Sequence, residues 1–334
     1  MKYVLGMDIG YSNLKLAMGF SGDTPKEVLL PAGAAPASQM LTDFSAIIDG
    51  ASQSKAQSFV NVNGEEWVAG ISMVQLEGVE RELHADYPST DKYKALFYAS
   101  LLQTGMDHID VLVTGLPVDQ YRDFELRERL VENLKGVNGG HRVNESKFIT
   151  IGEVAVLPQP FGAYMNLLSS TNDLELMEEG LVVSLDPGYF SFDWVAMLGR
   201  ALKKNSSGSS TQAMSKVLEK AAELINEMHD TSSCSKDQLE DAIRRGREYI
   251  FVDGNRVIIE PVMNEAGDIV APIAMTKFKQ SMRDDSRNPD IVLIAGGGSK
   301  FYEKSAREAF PKSKVVVPQN PTMANARGYY FYGE

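Results

Sequence analysis

The chain has 334 residues, of which 43% are hydrophobic and 23% charged, and its 33 Lys plus Arg stand against 45 Asp plus Glu for a formal charge of -12. That length and apolar content exclude a disordered chain and fit two domains, or one large unit split by a cleft, while the acidity excludes a general grip on a polyanion, so no direct contact with nucleic acid is expected. Cys234 is the only cysteine, which rules out an intramolecular disulfide and a cysteine-cluster metal site.

The first predicted element is a hairpin, VLGMDIGYSNLKLAM from Val4 to Met18. Val4, Leu5 and Met7 read as a buried strand, Gly10 with Ser12 and Asn13 supplies turn chemistry, and Leu14, Leu16 and Met18 alternate with Lys15 and Ala17 as the returning strand. Asp8 then ends a strand that offers little hydration, so it needs a cation, a hydrogen-bond donor or an opposite charge. Further on, strands are predicted at Phe59 to Val62, Ile109 to Val113, Phe148 to Ile151, Leu181 to Leu185, Asp193 to Leu198, Arg256 to Ile259, Ile291 to Ala295 and Lys314 to Val317. They alternate with helices at Lys92 to Thr104, Gln120 to Leu134, Phe161 to Ser169, Ser210 to Met228 and Lys236 to Tyr249, which makes the class mixed α/β. Loops are read at Pro31 to Ser38, Val137 to Arg142 and Asn205 to Ser210. No basic-plus-apolar leader opens the chain and no apolar run reaches about 18 residues, so a soluble cytoplasmic protein without a membrane partner is expected.

The opening design returns at LVVSLDPGYFSFDWVAM, Leu181 to Met197: an apolar strand, Asp186 and Gly188, a short tip and a returning strand. Two halves with the same hairpin suggest a duplicated pair of domains facing one cleft. Two Asp-x-Gly tips can hold a nucleoside triphosphate, with glycine admitting backbone N–H groups to the phosphates and the acids holding Mg²⁺ through its waters. Each Asp can equally well just cap a turn. A third element, IVLIAGGGSKFYEKSAREAF, sets Gly296, Gly297 and Gly298 between a buried strand and an amphipathic helix beginning near Ser299. Such a run suits close approach by a ligand, or simply a tight strand-to-helix turn. Neither a P-loop nor a Rossmann fingerprint occurs.

DIGYSNLK, LDPGYFSFD and IAGGGS, in this order and spacing, resemble the first phosphate, second phosphate and adenosine motifs of the actin, Hsp70 and sugar-kinase superfamily. Within it the chain is most similar to plasmid-segregation actin-like ATPases of the ParM/StbA type, through DVLVTGLPVDQY, NGG at Asn138, VAVLPQPFGAY, SSG at Ser206 and ANARGYYFYG. The resemblance implies an actin fold, two ribonuclease H-like domains flanking a nucleotide cleft. One would be formed by residues 1–160 and 318–334 and the other by 161–317. It implies that Asp8 and Asp186 hold Mg²⁺ through water, and that Gly10, Tyr11, Ser12, Asn13 and Gly188 line the phosphates, beside which Lys15 acts as a phosphate point charge in the reading of the two tips. Gln159 would orient the attacking water with Asp186 as its catalytic companion. Gly296, Gly297, Gly298 and Ser299 would meet the adenosine.

Ser207 and Gly208 are further candidate ligands or a plain flexible loop. Lys216 and Glu219 stand where relatives hold ribose and base, or are an ordinary i, i+3 charge pair. The second tip departs from the common Asp-x-Gly-Gly-Thr-Thr pattern, because Tyr189 and Phe190 precede Ser191, so the tip is arranged differently or Ser191 alone supplies a hydroxyl. The function implied is an ATPase, using ATP or GTP with Mg²⁺, that polymerises with itself and moves plasmid DNA through a DNA-bound adaptor protein. The alternative is a small-molecule kinase on the same fold. A chaperone is disfavoured because only about 36 residues follow the glycine run, and the odd second tip keeps open a nucleotide sensor without turnover.

Overall fold

A computed structural model describes residues 1–41, 57–79, 84, 86–283 and 287–334. Its elements in chain order begin with strands β1 (Tyr3–Ile9), β2 (Asn13–Phe20), β3 (Lys26–Pro31), β4 (Gly33–Pro36), β5 (Ser58–Val62) and β6 (Glu65–Ile71). Helix α1 (Asp91–Thr104), β7 (His108–Leu116), α2 (Val118–Arg122), α3 (Phe124–Lys135), β8 (Gly140–Arg142) and β9 (Phe148–Pro158) follow. The second half holds α4 (Gln159–Ser170), α5 (Leu174–Glu179), β10 (Leu181–Pro187), β11 (Phe192–Leu198), β12 (Ala201–Leu202), β13 (Gly208–Ser210), α6 (Met214–His229) and α7 (Lys236–Arg244). It closes with β14 (Tyr249–Val252), β15 (Asn255–Ile258), α8 (Ile259–Ser281), β16 (Ile291–Ile294), α9 (Ser299–Ala309), β17 (Lys314–Val316) and α10 (Ala324–Gly333).

The two main sheets have one topology. The first runs β3-β2-β1-β7-β9-β8, and the second β12-β11-β10-β16-β17 with β13 also on β11. In each, the leading strand pairs antiparallel with its hairpin partner and parallel with a later strand, β7 in the first sheet and β16 in the second. The duplication extends to register: Asp8 lies opposite Lys15 in the first hairpin, and Asp186 opposite Asp193 in the second. Both leading strands are buried along their whole length, as strands covered on both faces must be. This is the α/β fold with two like halves that the sequence led us to expect.

Some local expectations shift. The stretch Pro31 to Ser38 is not just loop, since β4 joins β6 and β5 in a small sheet. Val137 to Arg142 carries β8, and Asn205 to Ser210 carries β13, because both short polar segments find an open strand edge. The single helix expected from Gln120 to Leu134 is two helices, interrupted at Asp123, whose side chain accepts from Leu126 N and caps the second. The helix predicted from Ser210 starts at Met214, and that from Lys236 ends at Arg244, where Gly246 turns the chain into β14. Helix α8, 23 residues long, was not foreseen; Pro261, Gly267 and Pro272 within it look like breakers. Pro261 falls in the first turn, where its missing N–H costs nothing, and a Cβ at Gly267 would lie 3.2 Å from Phe301 of α9.

The final helix decides how the halves meet. Helix α10 crosses β1 so closely that a Cβ at Gly6 would stand 2.3 Å from the Ala326 carbonyl oxygen. It lies against α4 with equal intimacy: a Cβ at Gly328 would stand 1.6 Å from the Gly162 oxygen. Asn325 Oδ1 accepts from Ala163 N at 3.1 Å, and Tyr329 donates to the Gln159 carbonyl at 3.2 Å. Side chains at these crossings would force two backbones apart. Gly328→Ala should therefore lower unfolding stability by about 2–3 kcal/mol, the upper end of overpacking costs, measured by denaturant titration; a loss below about 0.5 kcal/mol would mean that the helix contact yields freely.

Candidate functional site

The two hairpin tips turn toward each other and line one cavity of about 270 Å³. Each tip is closed in the same way: Gly10 N donates to Asn13 O at 3.0 Å, and Gly188 N to Ser191 O at 2.9 Å. These amides are thus used within the turns, so any backbone N–H groups that the glycines admit to a phosphate are those of neighbouring residues. Glycine is needed for room instead, since a Cβ at Gly188 would lie 2.9 Å from the Ser191 oxygen.

Asp8 is buried, and it has the partners its position demands. Lys15 Nζ lies 2.8 Å from Oδ2, and Gln159 Nε2 donates to Oδ1 at 3.3 Å. Burial opposes the Lys15 charge, but Asp8 and Asp186 outweigh it and raise the ammonium above its ordinary range. Gln159 owes its place to the start of α4, after Pro158, at the junction of the two halves.

Asp186 is equally buried and less well served. Asn325 donates to Oδ2 at 2.6 Å, while Oδ1 has no hydrogen-bond partner among the described residues. Burial pushes this carboxyl up to about 6, opposed by the Lys15 charge and reinforced by Asp8 and Asp193. A Cβ at Gly296 would stand 2.1 Å from that open oxygen, and Gly296 has φ +80, so the position requires glycine twice over. An unpartnered buried carboxylate oxygen suits a hard cation such as Mg²⁺. Among the described residues no three His, Cys, Asp or Glu side chains gather as a metal cage. The two acids are unequal in this respect, for both Asp8 oxygens are taken by Lys15 and Gln159.

The aromatic second tip finds its explanation here. Tyr189 packs into the core of the second half, and the Phe190 ring lies 4.9 Å from Tyr11 of the first tip. Tyr11 in turn stacks on Tyr87 at 4.6 Å and donates to the His84 carbonyl at 3.0 Å. Burial raises its hydroxyl to about 12. Ser191 does supply a hydroxyl at the cavity wall, but that hydroxyl donates to Asp193 at 2.5 Å.

Of the remaining candidates, Ser12, Asn13, Gly297 and Gly298 line the cavity with Tyr11 and Gly188. Ser207 and Gly208 do not: Ser207 Oγ accepts from Ala196 N at 3.0 Å and donates to Lys203 O at 2.9 Å, and Gly208 backs onto Trp194. Ser299 is buried behind the glycine turn. Lys216 and Glu219 form an exposed pair at 2.6 Å outside the lining. In their place stand Glu240 and Arg244 of α7, which sequence reasoning missed. Arg244 binds Glu240 at 2.6 Å and reaches Ser12 O at 3.2 Å and Asn13 Oδ1 at 3.3 Å, while Ser12 donates to Glu240. The i, i+4 acid–base spacing was visible, but it is also the commonest pattern on a solvated helix.

Residues 6–162, just under half of the chain, match the family model described as the N-terminal domain of actin-like proteins. No curated protein sequence matches the chain. Similar solved structures include an archaeal actin homolog, Ta0583, at 18% identity and TM-score 0.74, covering 99% of this chain and 98% of that one. The same homolog in complex with ADP aligns at 16% identity and TM-score 0.74 over the same shares. A 15-stranded ParM filament from Clostridium botulinum aligns at 17% identity and TM-score 0.73, covering 99% of each chain. The likeness places the whole chain in the actin fold.

Asp186 generates a prediction. The fold binds its proton more tightly than the unfolded chain does, so the ionised carboxylate burdens stability in full above about pH 6, and the burden lifts progressively as pH falls from there to the ordinary carboxylate value of 3.8. Without nucleotide, Asp186→Asn should raise the melting temperature at about pH 7.5, and the gain should be roughly halved by about pH 5 and approach zero only below about pH 4. A pH-independent difference in thermal melts would contradict this account of Asp186.

Proposed function

We propose that this chain, an actin-like protein in fold, is a nucleotide-dependent filament-forming ATPase whose cleft binds a Mg²⁺ nucleoside triphosphate, ATP or GTP. The observation that carries the reading is the meeting of two equivalent hairpin tips, with Asp8, Lys15, Gln159 and Asp186, one of whose oxygens has no hydrogen-bond partner among the described residues, in one cavity between the halves. It is supported by the ADP complex of the archaeal homolog and by the ParM filament, each similar to this chain over nearly its full length.

In this reading residues 1–160 with 318–334 form one lobe and 161–317 the other. Asp186, and Asp8 once Lys15 turns to phosphate, would face the waters of the ion, which supplies charge neutralisation to the phosphates. Lys15 stays protonated and gives a point charge at the first tip. Gln159 is a neutral amide that takes no proton, so its part is to orient the attacking water, and turnover is slow. Gly297 faces the cavity where a nucleoside would rest, and Glu240 with Arg244 closes its far side.

Assembly follows by linkage: a nucleotide that binds the filament-competent shape more tightly shifts assembly by that difference in affinity and no more. The cargo in this reading is plasmid DNA reached through a DNA-bound adaptor, in keeping with a chain of charge -12.

The test pairs sedimented polymer with released phosphate over one time course. Wild type should assemble above a concentration threshold with Mg²⁺ nucleotide and then disassemble as phosphate appears. Gln159→Ala should assemble at a similar threshold but release phosphate slower on the order of a hundredfold, giving longer-lived polymer. Wild-type kinetics in Gln159→Ala would remove the residue from the reaction. Phosphorylation of a metabolite without polymer would make the chain a kinase.

A further inference from the structure

Asp193 does not line the cavity, yet it is 1% exposed and sits on β11 directly opposite Asp186. Its contacts are three hydrogen bonds from neutral donors. Ser191 Oγ donates to Oδ2 at 2.5 Å, and Ser209 Oγ and Val118 N donate to Oδ1, the latter at 3.0 Å. Val118 belongs to the other half, where it opens α2. That short helix is fixed to the second half by further bonds: Asp119 N to Ser209 Oγ at 3.4 Å, and Arg122 to the Ser207 carbonyl at 2.6 Å and to that of Lys204. Pro117 and Gln120, on either side of Val118, line the cavity.

A buried carboxylate held only by neutral donors is a costly choice where an amide of the same shape would fit. What the carboxylate alone provides is an acceptor on every side, which compels each neighbour to donate. Ser191 has one hydroxyl proton, and Asp193 takes it. A phosphate oxygen in the cavity is also only an acceptor, so it competes with Asp193 for that proton.

We propose that Asp193 is a positioning residue that couples the occupant of the cavity at Ser191 to the interlobe bond at Val118. The proposal rests on the nucleotide reading for the identity of the occupant. Phosphate entering at Ser191 withdraws one of the three donors from Asp193, the carboxylate readjusts toward Ser209 and Val118, and α2 shifts against the second half. The device reports phosphate occupancy at one lobe to the other without touching the phosphate.

Hydrogen exchange of the segment 116–123, read with and without a non-hydrolysable triphosphate, tests this alongside triphosphate affinity and steady-state turnover. In wild type the triphosphate should change exchange of this segment about fivefold or more. Asp193→Ala should exchange there about tenfold faster even without nucleotide and lose the response, with affinity within about threefold and kcat down about tenfold. Asp193→Asn is the discriminating variant. Its oxygen still accepts from Val118 and its amide donates to Ser191, so resting protection should survive while the response to triphosphate disappears. Val118→Pro removes the N–H at a helix position that accepts proline, at the cost of a changed side chain at a buried position, and should reproduce the kinetic loss if Asp193→Ala fails to fold. A wild-type response in Asp193→Asn, or a loss of affinity of about a hundredfold in Asp193→Ala, would overturn the proposal. If wild type binds no triphosphate, the nucleotide reading falls, and with it the coupling; unequal resting exchange in wild type and Asp193→Ala would then leave Asp193 as a structural tie only.

Discussion

Two carboxylates, buried at the ends of equivalent strands and aimed into the same cleft, are the constraint around which this molecule is arranged. A buried charge must be paired or neutralised. Asp8 is paired by Lys15 from the opposite position on its own hairpin. The corresponding position in the second hairpin holds Asp193, so Asp186 meets another acid where Asp8 meets a cation. The duplication has therefore been broken at one cross-strand pair. Lys15 serves both carboxylates, Asn325 serves one oxygen of Asp186, and the other oxygen is buried without a hydrogen-bond partner among the described residues. Other buried polar atoms, Thr114 Oγ1 and Ser184 Oγ among them, also lack a hydrogen-bond partner, but this one is a carboxylate oxygen on a residue that lines the cavity, where a cation would satisfy it.

The rest of the fold holds this arrangement in place. Asn325 reaches Asp186 from α10, the same helix whose glycine contacts with β1 and α4 bring backbone against backbone. Gln159 reaches Asp8 from the first turn of α4, and its carbonyl is tied to Tyr329 of α10. A helix returning from the end of the chain thus links one acid to the other through three hydrogen bonds. On the opposite wall, Ser12 meets Glu240 and Arg244, and the Tyr11 ring meets Phe190, so polar and aromatic contacts both cross the cleft between the two tips.

Much of this was legible in the sequence. The two Asp-x-Gly hairpins, the glycine turn before α9 and the alternation of strand and helix are local patterns, and local patterns survive into the fold. The contacts that cross the molecule were not legible. Nothing near Asn325, Glu240, Arg244 or Asp193 in the sequence says what each meets, because their partners lie 139, 228, 232 and 75 positions away. Ser207, Gly208, Lys216 and Glu219 illustrate the reverse error, in which residues of suitable chemistry beside a motif belong to a turn, a strand and a solvated helix face. The missed helix α8 shows that a glycine is no break where a neighbour, here Phe301 against Gly267, uses the space it leaves, and that a proline is none in a first turn, as at Pro261. The amides of Gly10 and Gly188 make the same point, since a glycine placed for want of room can look like one placed for its N–H.

The central claim is that the cleft is built for a Mg²⁺ nucleotide, and Gly297 permits a direct test. Its Cβ direction is open, with the nearest atom Thr322 Oγ1 at 4.0 Å, and the residue lines the cavity, so a side chain there adds bulk where the ligand would lie without disturbing the fold. Calorimetric titration of nucleoside triphosphate into the protein, with Mg²⁺ and with a chelator, should give one site that needs the ion. Gly297→Val, melting as wild type does, should bind about tenfold or more weakly. Equal heats with and without Mg²⁺, or undiminished affinity in Gly297→Val, would contradict the account.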